Sequence, residues 1–364
     1  MTIDEDRTNF SPDTVVVSID AMGGDSGVEA IIGGMEISAK VNPDIYFIVH
    51  GDSAQINALL RNKPELASRV DVRHAEKVIS MDEKPSRALR GGKGSSMWNA
   101  LQSVEKGEAA VAVSCGNTGA LMAIAMLRLR KLPGVNRPAI AALWPSRNPS
   151  GYNVMLDMGA DLKADAQDLL QYAIMGASYA RNGLGLEMPR VGLLNIGTED
   201  HKGRPELKEA AKLIETSQES YGIDYIGFVE GSDLPSKRVD IIVTDGFTGN
   251  VALKASEGTA KLFGEFLRDA FTHTPMAKVA AIFASASLKR LKDRVDPRHV
   301  NGGVFLGLNG TVIKSHGSAD AISVSAAIKL AFTLAQSGFS EKLAARIASA
   351  AAVTKNSTSE TDEA

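Results

Sequence analysis

Short apolar runs rich in β-branched residues recur along the chain and alternate with longer stretches of helical periodicity. The runs are TVVVSID (14–20), IYFIVHG (45–51), VDVRHA (70–75), AAVAVSC (109–115), AIAALW (139–144), YNVMLD (152–157), VGLLNIG (191–197), DYIGFVEG (224–231) and VDIIVTDG (239–246). A tenth, TVIK (311–314), lies further on. Several are apolar throughout rather than alternating, the pattern of strands covered on both faces. The clearest helical stretch is ADAQDLLQYAIMGASYARNG (164–183), with Leu169, Ala173 and Ala177 at helical spacing and Gly183 as its stop. Strand and helix in repetition predict an α/β fold of three layers, a mostly parallel sheet with helices on both faces. Neither a fixed-period repeat nor a linker interrupts it, so a single domain is expected over 14–350. The polar leader 1–13 and the tail 351–364 are expected to be disordered.

The turns at the strand ends carry the candidate chemistry. Asp20-Ala-Met-Gly-Gly-Asp25, Ser114-Cys-Gly-Asn-Thr-Gly119, Asp157-Met-Gly-Ala-Asp161, Asn195-Ile-Gly-Thr-Glu-Asp200, Asp245-Gly-Phe-Thr-Gly-Asn250 and Ser315-His-Gly-Ser-Ala-Asp320 all occupy this place. Each offers Gly for a turn and Asp, Asn, Ser or Thr for a helix cap. One such turn is only a turn and a cap. Six at successive strand ends predict a shared crevice lined by backbone N–H groups, a cradle for an anion.

Composition narrows the partners. Aromatic residues make up 5% of the 364-residue chain while glycines number 34, which suits many tight strand-to-helix turns. A net charge of -3 removes the global basic excess expected of a nucleic-acid binder. The single cysteine, Cys115, excludes an intrachain disulfide and a zinc-finger spacing. Cys115 is more naturally a buried core residue than a nucleophile. No GxxxxGK[ST] loop, intact GxGxxG or HExxH is present, so an activated product must draw its energy from an activated substrate. Neither a metal nor a cofactor is expected. Among cations beside the turns, Lys93 precedes Ser95-Ser96, Lys202 follows the 195–200 turn, and Lys254 lies one helical turn beyond Asn250.

The segment MAKVAAIFASASLKRLKDRV (276–295) has a different character. Met276, Val279, Phe283 and Ala286 share one helical face, and Leu288, Leu291 and Val295 share another. The phase breaks at 284–287, which predicts two helices or a kink inside an amphipathic insertion at about 265–300. Lys289, Arg290, Lys292, Arg294 and Arg298 follow. An apolar tip beside a basic cluster fits a membrane-surface anchor, a dock for an acidic carrier protein, or a dimer interface.

At these positions the sequence resembles the bacterial acyl-ACP:phosphate acyltransferases, the PlsX family. The matching segments are SIDAMGGD, the stretch from Ser80 to Met97, SCGNTGALMA, RPA, LDMGAD, LLQYAIMGASYA, PRVGLLNIGTED, VTDGFTGNVALKASEGTA and IKSHGSAD. They span residue 14 to about 336, with Gly91-Gly92 standing where the family commonly carries basic residues. The resemblance implies a three-layer α/β/α fold related to isocitrate and isopropylmalate dehydrogenases and phosphotransacetylases. It implies a cytoplasmic homodimer held peripherally at the inner face of the cell membrane. The implied reaction takes acyl carrier protein thioester and inorganic phosphate to acyl phosphate, passed on to a glycerol-3-phosphate acyltransferase for phospholipid synthesis.

Such an exchange needs no acyl-enzyme, because phosphate is already a nucleophile and a thiol of pKa about 8.5 leaves readily. The protein must hold phosphate, align it with the thioester carbonyl, and stabilise the oxyanion. On that reading Lys202 and the turn Asn195, Gly197 and Thr198 hold phosphate, with Asp20, Gly23, Gly24, Lys93, Ser95, Ser96, Thr118 and Asp157 also lining the substrate site. Asn117 and Asn250 serve the oxyanion, and Asp245, Lys254 and His316 orient these groups. Other classes kept open are a phosphotransacetylase using acyl-CoA, a decarboxylating dehydrogenase, and a non-catalytic acyl-ligand scaffold.

Overall fold

A computed structural model describes residues 14–295 and 302–349, except for the side chains of 292–295. The expected leader, the tail and Arg298 lie outside the described residues. Among the described residues, eleven strands form one sheet: β1 (Val15–Asp20), β2 (Ile45–Gly51), β3 (Val70–His74), β4 (Val111–Ser114), β5 (Ala139–Pro145), β6 (Tyr152–Leu156), β7 (Arg190–Leu194), β8 (Asp224–Val229), β9 (Ile241–Val243), β10 (Gly303–Leu306) and β11 (Thr311–Lys314). Each of the ten predicted runs is a strand. The added one is β10, four residues long and too short to carry a period.

Strand order is β3-β2-β1-β4-β11-β10-β5-β6-β9-β7-β8. Strand β10 runs against both β11 and β5, and β5 runs against β6. Those antiparallel pairings reverse the direction of the sheet at its middle. The group from β3 to β11 therefore runs one way and the group from β6 to β8 the other, so their carboxyl ends leave opposite edges.

Helices cover both faces, as expected. On one side α1 (Gly27–Val41), α7 (Ala166–Leu184), α8 (Pro205–Tyr221), α11 (Ala321–Gln336) and α12 (Phe339–Ser349) bury apolar stripes against the sheet. On the other lie α4 (Pro85–Gly91), α5 (Ser96–Glu105) and α6 (Thr118–Arg128). Short α2 (Ser53–Leu60) and α3 (Pro64–Ala67) complete the first half. Helix α7 opens on a capping box between Asp165 and Asp168 and ends at Gly185, which takes φ 69, rather than at Gly183.

The stretch expected as a helical insertion at about 265–300 falls on two long helices as far as it is described. Helix α9 (Gly246–Thr272) starts directly after β9, and α10 (Pro275–Val295) follows it back. Helix α10 runs unbroken through the phase change at 284–287, in place of the expected two helices or kink. Ala and Ser there do not break a helix, and neither apolar stripe is locked into a core that would demand one. Among the described residues no single helix is long and apolar enough to cross a membrane.

Candidate active site

Parallel register sets Asp20 beside Ser114, and Ser114 beside Lys314. Row neighbours project to one face of a sheet, so residues remote in sequence share one polar patch. Ser114 Oγ donates to Asp20 Oδ2 at 2.6 Å and accepts from the Gly116 amide at 3.0 Å. Burial raises the Asp20 pKa, and the Ser114 hydroxyl with the Met22 and Gly23 amides offsets only part of it. Ser96 also favours the charged form, although its buried Oγ meets no hydrogen-bonding geometry.

Three of the six turns meet here. Gly24 has φ 92, and a Cβ there would lie 2.7 Å from the Gly317 carbonyl oxygen and 2.9 Å from Cys115 Cβ. A Cβ on Gly23 would lie 2.7 Å from the Gly116 amide nitrogen. Helices α1, α6 and α11 begin at these turns, so the positive ends of three helix dipoles converge. Helix α1 has no side-chain cap, which leaves its first amides open. The exposed Thr118 begins α6. Open amides and converging helix dipoles of this kind are what an anion site requires.

Lys314 is the residue that sequence reasoning passed over. Its Nζ is largely buried and donates to the carbonyls of Ser315 and, at 3.4 Å, Cys115. Among the described residues no carboxylate lies within ion-pair distance of it. An ammonium has three donors, so one remains for a ligand. Burial, reinforced by the charge of Lys254, pulls its pKa down to about 8 against the pull of Cys115 and Asp20. The available clue was a lysine closing an apolar run immediately before a glycine turn. Cys115 itself is buried and its thiol is pushed up by burial, the reverse of an activated nucleophile.

The other three turns form a second cluster at the opposite edge. Asp157 is fully buried, with Oδ1 accepting from the amides of Ile140, Gly159 and Ala160 and Oδ2 from that of Asp161 at 2.8 Å. Both its oxygens are engaged by backbone amides, so it organises the turn. Asp245 caps α9 by accepting from the Thr248 amide at 2.8 Å and pairs with Arg204. Asn195 spans its own loop, from the Ile196 amide to the Lys202 carbonyl. Gly197 is hemmed in by the Lys202 stem, and Thr198 is exposed. Lys202 Nζ pairs with Glu199 at 2.8 Å. Asn250 is exposed above Gly159.

The single hollow expected from six turns is thus two clusters, because the antiparallel centre of the sheet reverses the second group of strands. Helix α9 links them. It rises about 12 Å from Gly246 to Lys254 at 1.5 Å per residue and brings Lys254 into electrostatic range of Lys314. Lys254 also pairs with Glu257 at 2.8 Å.

Asn117 differs from its expected part as an oxyanion donor. Its Oδ1 caps α6 at the Ala120 amide, 3.0 Å away, and its Nδ2 donates to the carbonyls of Met81 at 2.7 Å and Glu83 at 2.9 Å. The amide is fully employed in tying segment 80–83 to the cradle. His316 is exposed, and its Nδ1 accepts from the Ser318 amide at 3.3 Å, which puts the proton of the neutral ring on Nε2. Ser95 caps α5, accepting from the Trp98 amide at 3.2 Å, and Lys93 is exposed beside it. On α10, Val279 and Phe283 are 48% and 87% exposed, and Lys289 and Arg290 face solvent. The side chains of Lys292 and Arg294 lie outside the described residues.

Comparison with known proteins bears on this arrangement. Residues 15–342 match the family described as "Fatty acid synthesis protein". A phosphate acyltransferase of Paracoccus denitrificans is 68% identical over 340 residues, covering 93% of this chain and 92% of that protein. One from Ruegeria pomeroyi is 60% identical and covers 98% and 96%. In fold, a phosphotransacetylase from Streptococcus pyogenes has a TM-score of 0.58 at 16% identity, covering 92% of this chain and 98% of its own. The EutD phosphotransacetylase of Staphylococcus aureus has a TM-score of 0.56 at 16% identity, covering 91% and 96%. With near-complete coverage at such identity, the chain belongs to the fatty acid synthesis protein family of phosphate acyltransferases, the PlsX family, and is an acyltransferase.

Proposed function

We propose that the enzyme transfers a long-chain fatty acyl group from acyl carrier protein to inorganic phosphate, supplying acyl phosphate for phosphatidic acid and phospholipid synthesis. The observation that carries this reading is the cradle at the ends of β1, β4 and β11, where three helix N-termini surround a half-buried lysine with no ion-paired carboxylate among the described residues. A phosphate oxygen attacks the thioester carbonyl, the carbon–sulfur bond breaks, and the thiolate leaves to take a proton from solvent. Lys314 and the open amides of α1 hold phosphate, and the first-turn amides of α6 receive the oxyanion. Lys254 lowers the charge barrier from across the cleft, with His316 at the rim. Lys202 and Asn250 act from the second cluster on the acyl donor.

The exposed apolar residues of the α9–α10 hairpin, among them Phe263, Phe266, Ile282 and Phe283, support peripheral attachment to the inner face of the cell membrane as a homodimer. The deciding test incubates purified protein with palmitoyl-ACP and phosphate. Free carrier thiol should appear in step with acyl phosphate trapped by hydroxylamine. Thiol release without trapped acyl phosphate would reduce the protein to a thioesterase and end this reading.

A further inference from the structure

A cavity of about 500 Å³ lies beside the cradle, between the 77–79 segment and α4. Its cations are Lys77, Arg87 and Arg90, its apolar wall is Val78 and Ile79, and Ser95 closes its inner end. Ile79 is buried, whereas Val78 is 52% exposed, so the wall presents apolar surface towards solvent. Glu83 is the acidic lining residue, and it reaches Arg87 only at 3.7 Å, leaving the cationic side in excess.

The cavity and the cradle share structural parts. Ser95 caps α5, and its neighbour Ser96 stands beside Asp20. Glu83, on the cavity wall, has its carbonyl held by Asn117 at the start of α6. Met81, in the same segment, reaches within 2.7 Å of where a Cβ on Gly317 would stand. A ligand lying along segment 78–83 would therefore have its anionic end at Arg87 and Arg90 and its other end at the glycine turns.

The geometry points to this cavity as the subsite for the phosphopantetheine arm of the acyl donor. The arm's phosphodiester sits among Lys77, Arg87 and Arg90, its chain runs along Val78 and Ile79, and the thioester is delivered past Met81 to the cradle. Guanidinium groups suit a phosphodiester because they present paired donors to its oxygens. The inference rests on the acyl-transfer reading for its direction but assigns a ligand site which that reading does not contain. Acyl-CoA and acyl carrier protein share this arm, so both should use the subsite.

The test compares wild type with an Arg87→Glu/Arg90→Glu variant, whose exposed positions leave the core intact. Free 4′-phosphopantetheine is titrated by calorimetry, and kinetics are run with palmitoyl-ACP, palmitoyl-CoA and palmitoyl-pantetheine, which lacks the phosphate. The variant should lose phosphopantetheine binding. Its KM for palmitoyl-ACP and palmitoyl-CoA should rise by about tenfold to a hundredfold, as expected for removing one or two charge-assisted bonds. Palmitoyl-pantetheine should be affected far less. Equal losses for all three donors would overturn the assignment, and so would a loss confined to palmitoyl-ACP, which would mark a carrier-protein surface instead. Wild type that binds phosphopantetheine yet makes no acyl phosphate would refute the reaction and leave the subsite standing.

Discussion

The Asp25 amide donates to the Gly317 carbonyl at 2.7 Å, so the first and last strand-end turns of the chain are stitched together directly. The closeness depends on Gly24, whose positive φ and lack of Cβ admit the Gly317 carbonyl. The convergence of these glycine turns is a consequence of this contact, which draws the ends of β1 and β11 together.

Gly24→Ala should therefore destabilise the protein by about 2–4 kcal/mol, combining an unfavourable φ with a clash against backbone. Gly107→Ala is the comparison: φ is 68 there, but a Cβ meets nothing within 4 Å. It should cost only about 1 kcal/mol. Denaturant titration of both variants reads the difference, and equal losses would mean that the contact with Gly317 is unimportant.

Phosphate binding should depend on pH with Lys314 in the phosphate-holding role proposed for it. With its pKa pulled down to about 8, it sheds its proton as pH rises through that value, and KM for phosphate should climb. Stability moves the other way. The unfolded chain keeps the proton up to the ordinary 10.5, so between about 8 and 10.5 the folded form gains stability with rising pH. Lys314→Met should raise KM for phosphate by about tenfold or more and flatten both profiles. An unchanged pH profile of KM would remove Lys314 from the phosphate site.

Arg204 holds Asp245 ionised at the start of α9. Burial alone would raise the Asp245 pKa, but the Thr248 amide and Arg204 outweigh it and the net shift is downward. That contribution is present above the ordinary 3.8 and is lost as pH falls through the lower folded value. Arg204→Ala should cost about 1 kcal/mol at neutral pH, because the half-exposed arginine is screened by water. The onset of acid unfolding, followed by circular dichroism, should move to higher pH.

Asn117 does two jobs that separate cleanly. Asn117→Asp keeps an acceptor for the Ala120 amide, so α6 remains capped, but sets a carboxylate against the carbonyls of Met81 and Glu83. Asn117→Ala loses both and should cost about 1 kcal/mol for the cap alone. Hydrogen exchange over 80–84 should accelerate in both variants while the first turn of α6 loosens only in the alanine one.

Val279→Asp together with Phe283→Asp should abolish sedimentation with liposomes containing anionic lipid. Acyl phosphate formation from soluble donors should persist. Retained sedimentation would place the membrane contact elsewhere.

Strand positions, the clearest helix and the six turns were all readable from the chain, because apolar period, glycine and capping residues act over a few neighbouring positions. The family resemblance was equally plain in those motifs. Strand order was not: a four-residue β10 between β11 and β5 carries no period, and the antiparallel pairing of β5 with β6 reverses the second half of the sheet and splits the six turns into two groups. Nor could local pattern reveal that Asn117 spends its amide on Met81 and Glu83, or that Lys314 is sunk beside Cys115 without an ion pair to any described carboxylate. Pairing register and burial are sums over contacts between distant segments, and the chemistry of a lysine changes only when those segments have taken its water away.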